Sequence, residues 1–542
     1  MDEITEQFYR DVDQYLAWFM EVSPTAATHL GVHDYDDRLA DLSIASLDEQ
    51  HRMNQRYLAR FESAQRAGDK DTRVDVALTG SMLRGAVRAY ERMQHRYRMP
   101  DLYLGECVHG AYSLLAKDFA PLADRLCSLA GRLSEVPRVL EQGKRNLDRP
   151  PRIWTEIAIN QARGGVDFFE CTVPAAAAQD PGLMERVLEA SQRAADAAKR
   201  FVRFLEDDLL PRSDGEFPVG EELWNTMVRD EHMLEADADQ IERTGHELIA
   251  QTREAMTEAA ARIAPGRDAA AVIRDLRNRH PQPGELLDAY RTAMNASRQF
   301  VIDHDLVSVP AGETLEIQET SPFSRPTMPF AAYVSPGPFE KQQQGIFWVT
   351  PVDPDLPEDQ RETRLRGHPS GKIPVIAVHE GYPGHHLQLV RGNQAATLPR
   401  KVGGSTLFVE GWAFYCEAMM EEEGFLTDPE SKLLRLADQL WRACRIVIDV
   451  GLHTRGMSVG EAIRMLVDVA GLEEPDATAE VHRYTQSPTQ PMCYLIGKLE
   501  ILKIAQEYRA RSGSSFNLKT FHDELLSFGS LTPKLIRTML FE

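Results

Sequence analysis

Residues 373–386 read Ile373-Pro374-Val375-Ile376-Ala377-Val378-His379-Glu380-Gly381-Tyr382-Pro383-Gly384-His385-His386. An apolar run leads directly into three of the chain's 16 histidines and one carboxylate within eight residues. Neutral imidazole is the commonest metal ligand in proteins. A glutamate next to such a ligand is the usual base for a metal-activated water. The stretch therefore predicts a zinc-dependent hydrolase. The ligands cannot sit on one unbroken helix. His385 would lie roughly 120° off the face of His379, and His386 about 10 Å further along it. Zinc ligands that close in on one ion at about 2 Å need a break between them. Pro383 offers no N–H to the His379 carbonyl, and Pro-Gly stops helices. The spacing predicts a helix ending near Tyr382, a bend at Pro383-Gly384, and a second helix carrying His385 and His386.

A catalytic zinc site usually has three protein ligands and one open position. Phe408-Val409-Glu410-Gly411-Trp412-Ala413-Phe414-Tyr415-Cys416-Glu417 reads as a helix with two glutamates seven residues apart on one face. Glu410 sits among apolar and aromatic residues, where an unpaired carboxylate is disfavoured. Metal ligation accounts for it, and so does pairing with Arg442 or Arg445. Glu417 is placed to orient a ligand histidine through its other ring nitrogen. Whether His385 or His386 is the second ligand stays open on spacing alone.

The run His-Glu-Gly-Tyr-Pro-Gly-His-His-Leu-Gln at 379–388, followed by Glu-Gly-Trp-Ala at 410–413, resembles a large bacterial family of uncharacterised domains grouped with the gluzincin metallopeptidases. Residues 24–35, 118–147, 331–350, 445–453 and 483–498 look like its other blocks. More distantly, Gly384-His385 is similar to the Gly-His that ends the zinc helix of thimet-oligopeptidase-like and Taq-carboxypeptidase-like enzymes. In those enzymes a glutamate follows at a spacing similar to the 25 residues from His385 to Glu410. Two more residues stand between Glu380 and the second histidine here than in those enzymes. The resemblance implies His379, His385 and Glu410 as zinc ligands, with His386 the alternative and Glu380 the general base. It also implies a mainly α, zincin-like peptidase fold with a central cleft. In related gluzincins a tyrosine from the C-terminal block donates its O–H to the oxyanion. Tyr494 is the counterpart expected here, and Tyr484 the reserve.

Composition is that of an ordinary soluble globular protein and does not decide the function. The chain has 542 residues, 43% hydrophobic and 27% charged, with a formal net charge of −22. Such acidity argues against nucleic acid or an anionic membrane as partner. The six cysteines, at 107, 127, 171, 416, 444 and 493, form no C-x-x-C. That pattern suggests reduced thiols and excludes a cysteine-rich zinc site. The first residues, Met1-Asp2-Glu3-Ile4-Thr5-Glu6-Gln7, lack a basic start and an apolar core, and no apolar run approaches ~20 residues. A cytoplasmic location is the expectation.

Helical periodicity runs through Phe8 to Met20, Leu183 to Leu210, Met233 to Ile263 and Glu285 to His304, with a break at Asn146 to Pro151. Between about Val307 and Pro354 the character changes. Leu315 and Ile317 alternate with Glu316 and Gln318, and Gly345 to Thr350 is β-branched and aromatic. A small β-sheet next to the metal-binding helix is expected, with an edge able to hold an extended peptide. Residues 1–306 are expected to form a helical region walling one side of the cleft, and 307–542 the catalytic region.

Further site candidates follow. Arg445, Asp449 and His453 share one helix face, predicting a local Arg–Asp pair with His453 lining the pocket. Arg483 or Lys498 is a candidate for a substrate carboxylate, and Tyr382 for the cleft wall. A small peptide or amide is the expected substrate. The alternatives are a zinc amide or ester hydrolase of small-molecule metabolism and a non-catalytic metal-binding scaffold. Glu380 argues against the scaffold, since binding alone needs no base beside a ligand.

Overall fold

The computed structural model of the protein describes residues 3–64, 68–320, 331–353 and 355–542. Among the described residues it is mainly helical, with one three-stranded sheet. Of the described residues, 3–217 and 336–341 form one compact unit, and 218–320, 331–335 and 342–542 form another. The division expected at 306/307 thus differs from the observed one at 217/218. No helix among the described residues is long and apolar enough to cross a membrane.

In the first unit, helices α1 (Asp101–Ala116), α2 (Leu122–Asn146), α3 (Arg152–Asp167) and α4 (Met184–Phe204) enclose one core. Leu126, Leu129, Leu133 and Val136 of α2 meet Ala190, Ala194, Ala198 and Phe201 of α4. The alanine stripe lets the two helices approach closely. The break expected after Asn146 falls between α2 and α3. Arg132 is fully buried, and its guanidinium donates to the carbonyls of Arg38 and Gly110 and to the Thr28 hydroxyl.

The second unit carries the candidate site. Helix α5 (Ala238–Ile263) starts later than the periodicity from Met233 suggests. Asp237 caps it there, accepting from the Gln240 N–H while Gln240 returns a bond to the Asp237 backbone. Its buried stripe, including Ile241, Met256 and Ala260, packs on residues of a later helix such as Leu433, Leu436 and Ile446. This is why 218–303 belongs with the C-terminal half. Helix α6 (Leu286–Asp303) lies under the sheet.

Strands β1 (Thr314–Glu319), β2 (Ala331–Val334) and β3 (Gln344–Val349) are ordered β1-β3-β2. β1 runs parallel to β3, with Ile317 opposite Phe347, and β2 runs antiparallel, with Tyr333 opposite Phe347. β1 buries Ile317 and exposes Glu316, as its alternation predicts. β3 is central, which is why its run is almost continuously apolar. Phe347 and Val349 pack with Tyr290 and Met294 of α6 and with Ile373 and Ala377 just before the histidines. β2 was not expected, because Ala-Ala-Tyr-Val is too short to show a period. Pro354 and residues 321–330 of the non-helical segment lie outside the described residues.

After the sheet come α7 (His385–Gly392), α8 (Thr406–Glu422), α9 (Pro429–Thr454), α10 (Glu474–Gln486) and α11 (Cys493–Ser512). α8 and α11 touch backbone to backbone. A Cβ on Gly497 would stand 1.9 Å from the Leu407 carbonyl oxygen, and one on Gly411 would stand 2.5 Å from the Gly497 carbonyl carbon. Two facing glycines therefore set Glu410 and Tyr494, one residue before and three residues before them, side by side.

Candidate metal centre

The helix of residues 373–381 does not run straight into α7. It widens into a π-turn over Ala377–Gly381, with the Tyr382 N–H donating to the Ala377 carbonyl at 3.1 Å. Tyr382 is extended, the Tyr382–Pro383 bond is cis, and the Gly384 N–H reaches back to the Val378 carbonyl at 3.0 Å. A Cβ at Gly384 would lie 1.9 Å from the His379 carbonyl oxygen, so only glycine fits that return. The Trp412 indole donates to the Pro383 carbonyl at 2.8 Å and fastens the bend to α8. The break lies where Pro-Gly predicts it, and α7 begins at His385.

The bend brings His379 and His385 together, with ring centroids 4.8 Å apart and planes at 90°. Glu410 joins them from α8, its Oε2 3.4 Å from His385 Nε2. One ligand atom from each of the three lies within 4.8 Å of the others. A tetrahedral zinc site has ligand-to-ligand edges of roughly 3.4 Å, so the His385–Glu410 separation suits two ligands of one ion. His379 Nδ1 is 2.8 Å from Glu417 Oε1, which leaves Nε2 of that ring for the metal. His386 is the alternative second ligand, and both of its nitrogens are engaged elsewhere. Nε2 is 2.7 Å from Glu313 Oε2, and Nδ1 is 3.0 Å from the Tyr333 hydroxyl.

The charge environment suits a cation. Burial alone would raise the Glu410 carboxyl, but the bond from His385 and the two imidazoles hold it at about 2. Burial alone would lower His379, but Glu417, Glu380 and Glu410 outweigh it and raise its pKa. Three carboxylates thus surround two ring nitrogens suited to a metal. Glu380 follows His379 directly and lines, with it, a pocket of about 220 Å³ that also includes Tyr290, Phe347, His368 and Arg442. The Tyr494 hydroxyl stands beside Glu410 and helps keep that carboxylate ionised. Burial, and then Glu410, raise the tyrosine's own pKa, so it keeps its proton.

Other expected residues lie elsewhere. Glu410 is not neutralised by an arginine: Arg442 Nη1 is 3.7 Å from Asp438, and Arg445 Nη2 is 2.9 Å from Glu480. The Arg445–Asp449 pair expected from helix spacing gives way to this cross-helix bond. Asp449 instead accepts from the Thr489 N–H at 3.1 Å and the Trp224 indole at 3.5 Å. His453 is fully buried with Nε2 3.0 Å from the Tyr484 carbonyl, and it does not line the pocket. Tyr484 is buried and donates to Glu480 at 2.6 Å. Arg483 is held by Glu480 and Gln490, both at 2.9 Å. Lys498 is buried, donates to Gln439 at 3.2 Å, and is lowered to about 8 by burial and then Arg435. The Tyr382 hydroxyl is taken by Glu313 at 2.6 Å. Glu313 itself, which also receives Arg298 at 3.0 Å, carries no sequence signal, since it lies in a loop far from any motif.

Fold and site together define a mainly helical protein with a two-histidine, one-glutamate cluster, buried at His379 and half-buried at His385 and Glu410, and a further carboxylate at its side. The chain belongs to the family described as "Bacterial protein of unknown function (DUF885)", whose model matches residues 24–540. Two solved structures share the fold. One is a "putative lipoprotein of unknown function" from Shewanella oneidensis, 24% identical, with TM-score 0.80 over 99% of this chain and 100% of that one. The other is a "putative lipoprotein" from Colwellia psychrerythraea, 18% identical, with TM-score 0.84 over 98% of each chain. No curated protein matches. The cytoplasmic location expected from the cysteines and first residues is not upheld, because both structural relatives are described as lipoproteins.

Proposed function

We propose that the protein is a zinc-dependent hydrolase of the gluzincin type that cleaves peptide or peptide-like amide bonds. One observation carries the reading: His379, His385 and Glu410 converge within 4.8 Å while Glu380, next to the first ligand, faces the adjoining pocket. Binding alone would need no carboxylate there. When bound, zinc supplies Lewis acidity that brings a water's pKa toward neutrality and polarises the scissile carbonyl. Cobalt or manganese suits the same donor set.

The chain's own groups do the rest. Glu380 accepts the proton of the attacking water on its carboxylate and delivers it to the leaving nitrogen. Tyr494 donates its O–H to the carbonyl oxygen as negative charge builds there. Glu417 fixes the His379 tautomer through Nδ1. β2 forms an edge of the sheet and Ala331, its first residue, lines the pocket, which suits main-chain pairing to an extended substrate.

Glu380→Gln tests the reading. The variant should bind zinc as the wild type does and lose hydrolysis of a peptide library by about 10²–10⁴-fold. Unchanged turnover would remove Glu380 from the chemistry.

A further inference from the structure

Beside the metal centre, two arginines are left short of anions. Arg442 and Arg445, three residues apart on α9, both stand over the Trp441 ring, their guanidinium carbons 4.1 and 4.3 Å from its centroid. Both also face the Tyr494 ring, at 5.6 and 4.7 Å. Two half-buried or buried cations against one ring need anions, and the fixed ones are already committed. Glu480 receives one donor of Arg445 but also Arg483 at 2.9 Å and the Tyr484 hydroxyl at 2.6 Å. Asp438 is bound by Lys372 at 2.9 Å and lies 3.7 Å from Arg442 Nη1. Among the described residues, the cations Arg442, Arg445, Arg483 and Lys372 thus outnumber Asp438 and Glu480, the acids paired with them. Nε and Nη1 of both arginines, four buried donors, have no hydrogen-bond partner among the described residues. The Arg445 side chain is only 4% exposed. Buried charged donors are almost always satisfied, so the arrangement is that of a receiving site for an anion.

We infer that Arg442 and Arg445 receive the free terminal carboxylate of the substrate, placed across the Tyr494 ring from the Glu410 side of the metal centre. The ring is the spacer. Tyr494 stands beside Glu410 with its hydroxyl, which also meets Arg445, and its ring lies against both guanidinium groups. Arg442 lines the same pocket as His379 and Glu380. A carboxylate held there places the free C-terminus of the substrate beside the metal centre. The substrate class is a short peptide or acylated amino acid with a free C-terminus. The side chains expected to take this role, Arg483 and Lys498, are satisfied by fixed partners. The position of the scissile bond rests on the hydrolase reading; the anion site does not.

The test measures binding, not turnover. N-acetyl-L-amino acids and their primary amides are titrated calorimetrically into zinc-loaded and chelator-stripped protein. The acids should bind about tenfold or more tightly than the amides, and the preference should persist without metal. Arg442→Gln and Arg445→Gln should each reduce it to within about threefold, and Arg442→Lys should retain part of it. Equal binding of acid and amide by the metal-free wild type overturns the inference, whatever the variants do. A preference that survives both glutamine variants also overturns it. If zinc-loaded protein hydrolyses no peptide while the metal-free preference holds, the hydrolase reading fails and the anion site stands.

Discussion

Glu417→Gln isolates a part of the proposed metal site that lies outside its three ligands. Glu417 Oε1 lies 2.8 Å from His379 Nδ1, and the two side chains are 4% and 11% exposed, so solvent screens the pair little. A charge-assisted bond of this kind contributes about 1.5–3 kcal/mol. Glutamine keeps the shape and loses the charge that fixes the ring and raises its basicity. Loss of such a partner typically lowers metal affinity 10–100-fold, or about 1.4–2.7 kcal/mol. The zinc Kd is read by competition with a chromophoric chelator at pH 7.5, beside Tm of the metal-free protein. The same bond exists in the metal-free protein, so loss of the charge should also lower its Tm, beside the fall in zinc affinity. Zinc affinity within twofold of wild type, at unchanged Tm, would refute the role given to Glu417 and with it the orientation of His379.

Three other changes probe separate links. Tyr494→Phe should lower kcat of the zinc-saturated protein by about 10²–10³-fold, beyond any loss of zinc affinity from weaker support of Glu410; an unchanged kcat at zinc saturation would remove Tyr494 from the oxyanion. Gly497→Ala forces a Cβ to 1.9 Å from the Leu407 carbonyl oxygen; a loss of about 3 kcal/mol or more, read as a fall in Tm, is expected, and a wild-type Tm would contradict the close α8–α11 contact. Asp449 is raised by burial from 3.8 to about 7, so the folded state holds its proton more tightly and stability falls as pH rises from about 4 to 7. Asp449→Asn should therefore stabilise the protein at pH 8, by on the order of 1–3 kcal/mol, with the gain shrinking toward pH 5; a gain independent of pH would rule out titration of Asp449.

What could be read in advance depended on whether the deciding forces were local. The bend at Pro383-Gly384 was legible because a missing N–H and a missing Cβ act within a few residues. β1 and β3 were legible from alternation and from a β-branched, aromatic run. The helical periods were legible too, but Met233 gave way to a cap at Asp237. Partner choice was not legible. Arg445 turns across to Glu480 instead of along its own helix to Asp449, because α10 brings a carboxylate that spacing on α9 does not reveal. His386 could be separated from His385 only once Glu313 and Tyr333, from the strand region, were seen on its two nitrogens. The unit boundary was missed for a similar reason: the stripe on α5 says that it packs, not on which partner.

The central claim is that one metal ion is held by His379, His385 and Glu410, and diffraction from zinc-grown crystals at the zinc absorption edge tests it most directly. One anomalous peak is predicted, at about 2.0–2.2 Å from Nε2 of His379, from His385 and from a Glu410 oxygen. A peak elsewhere, or no peak with the three side chains turned apart, would contradict the account.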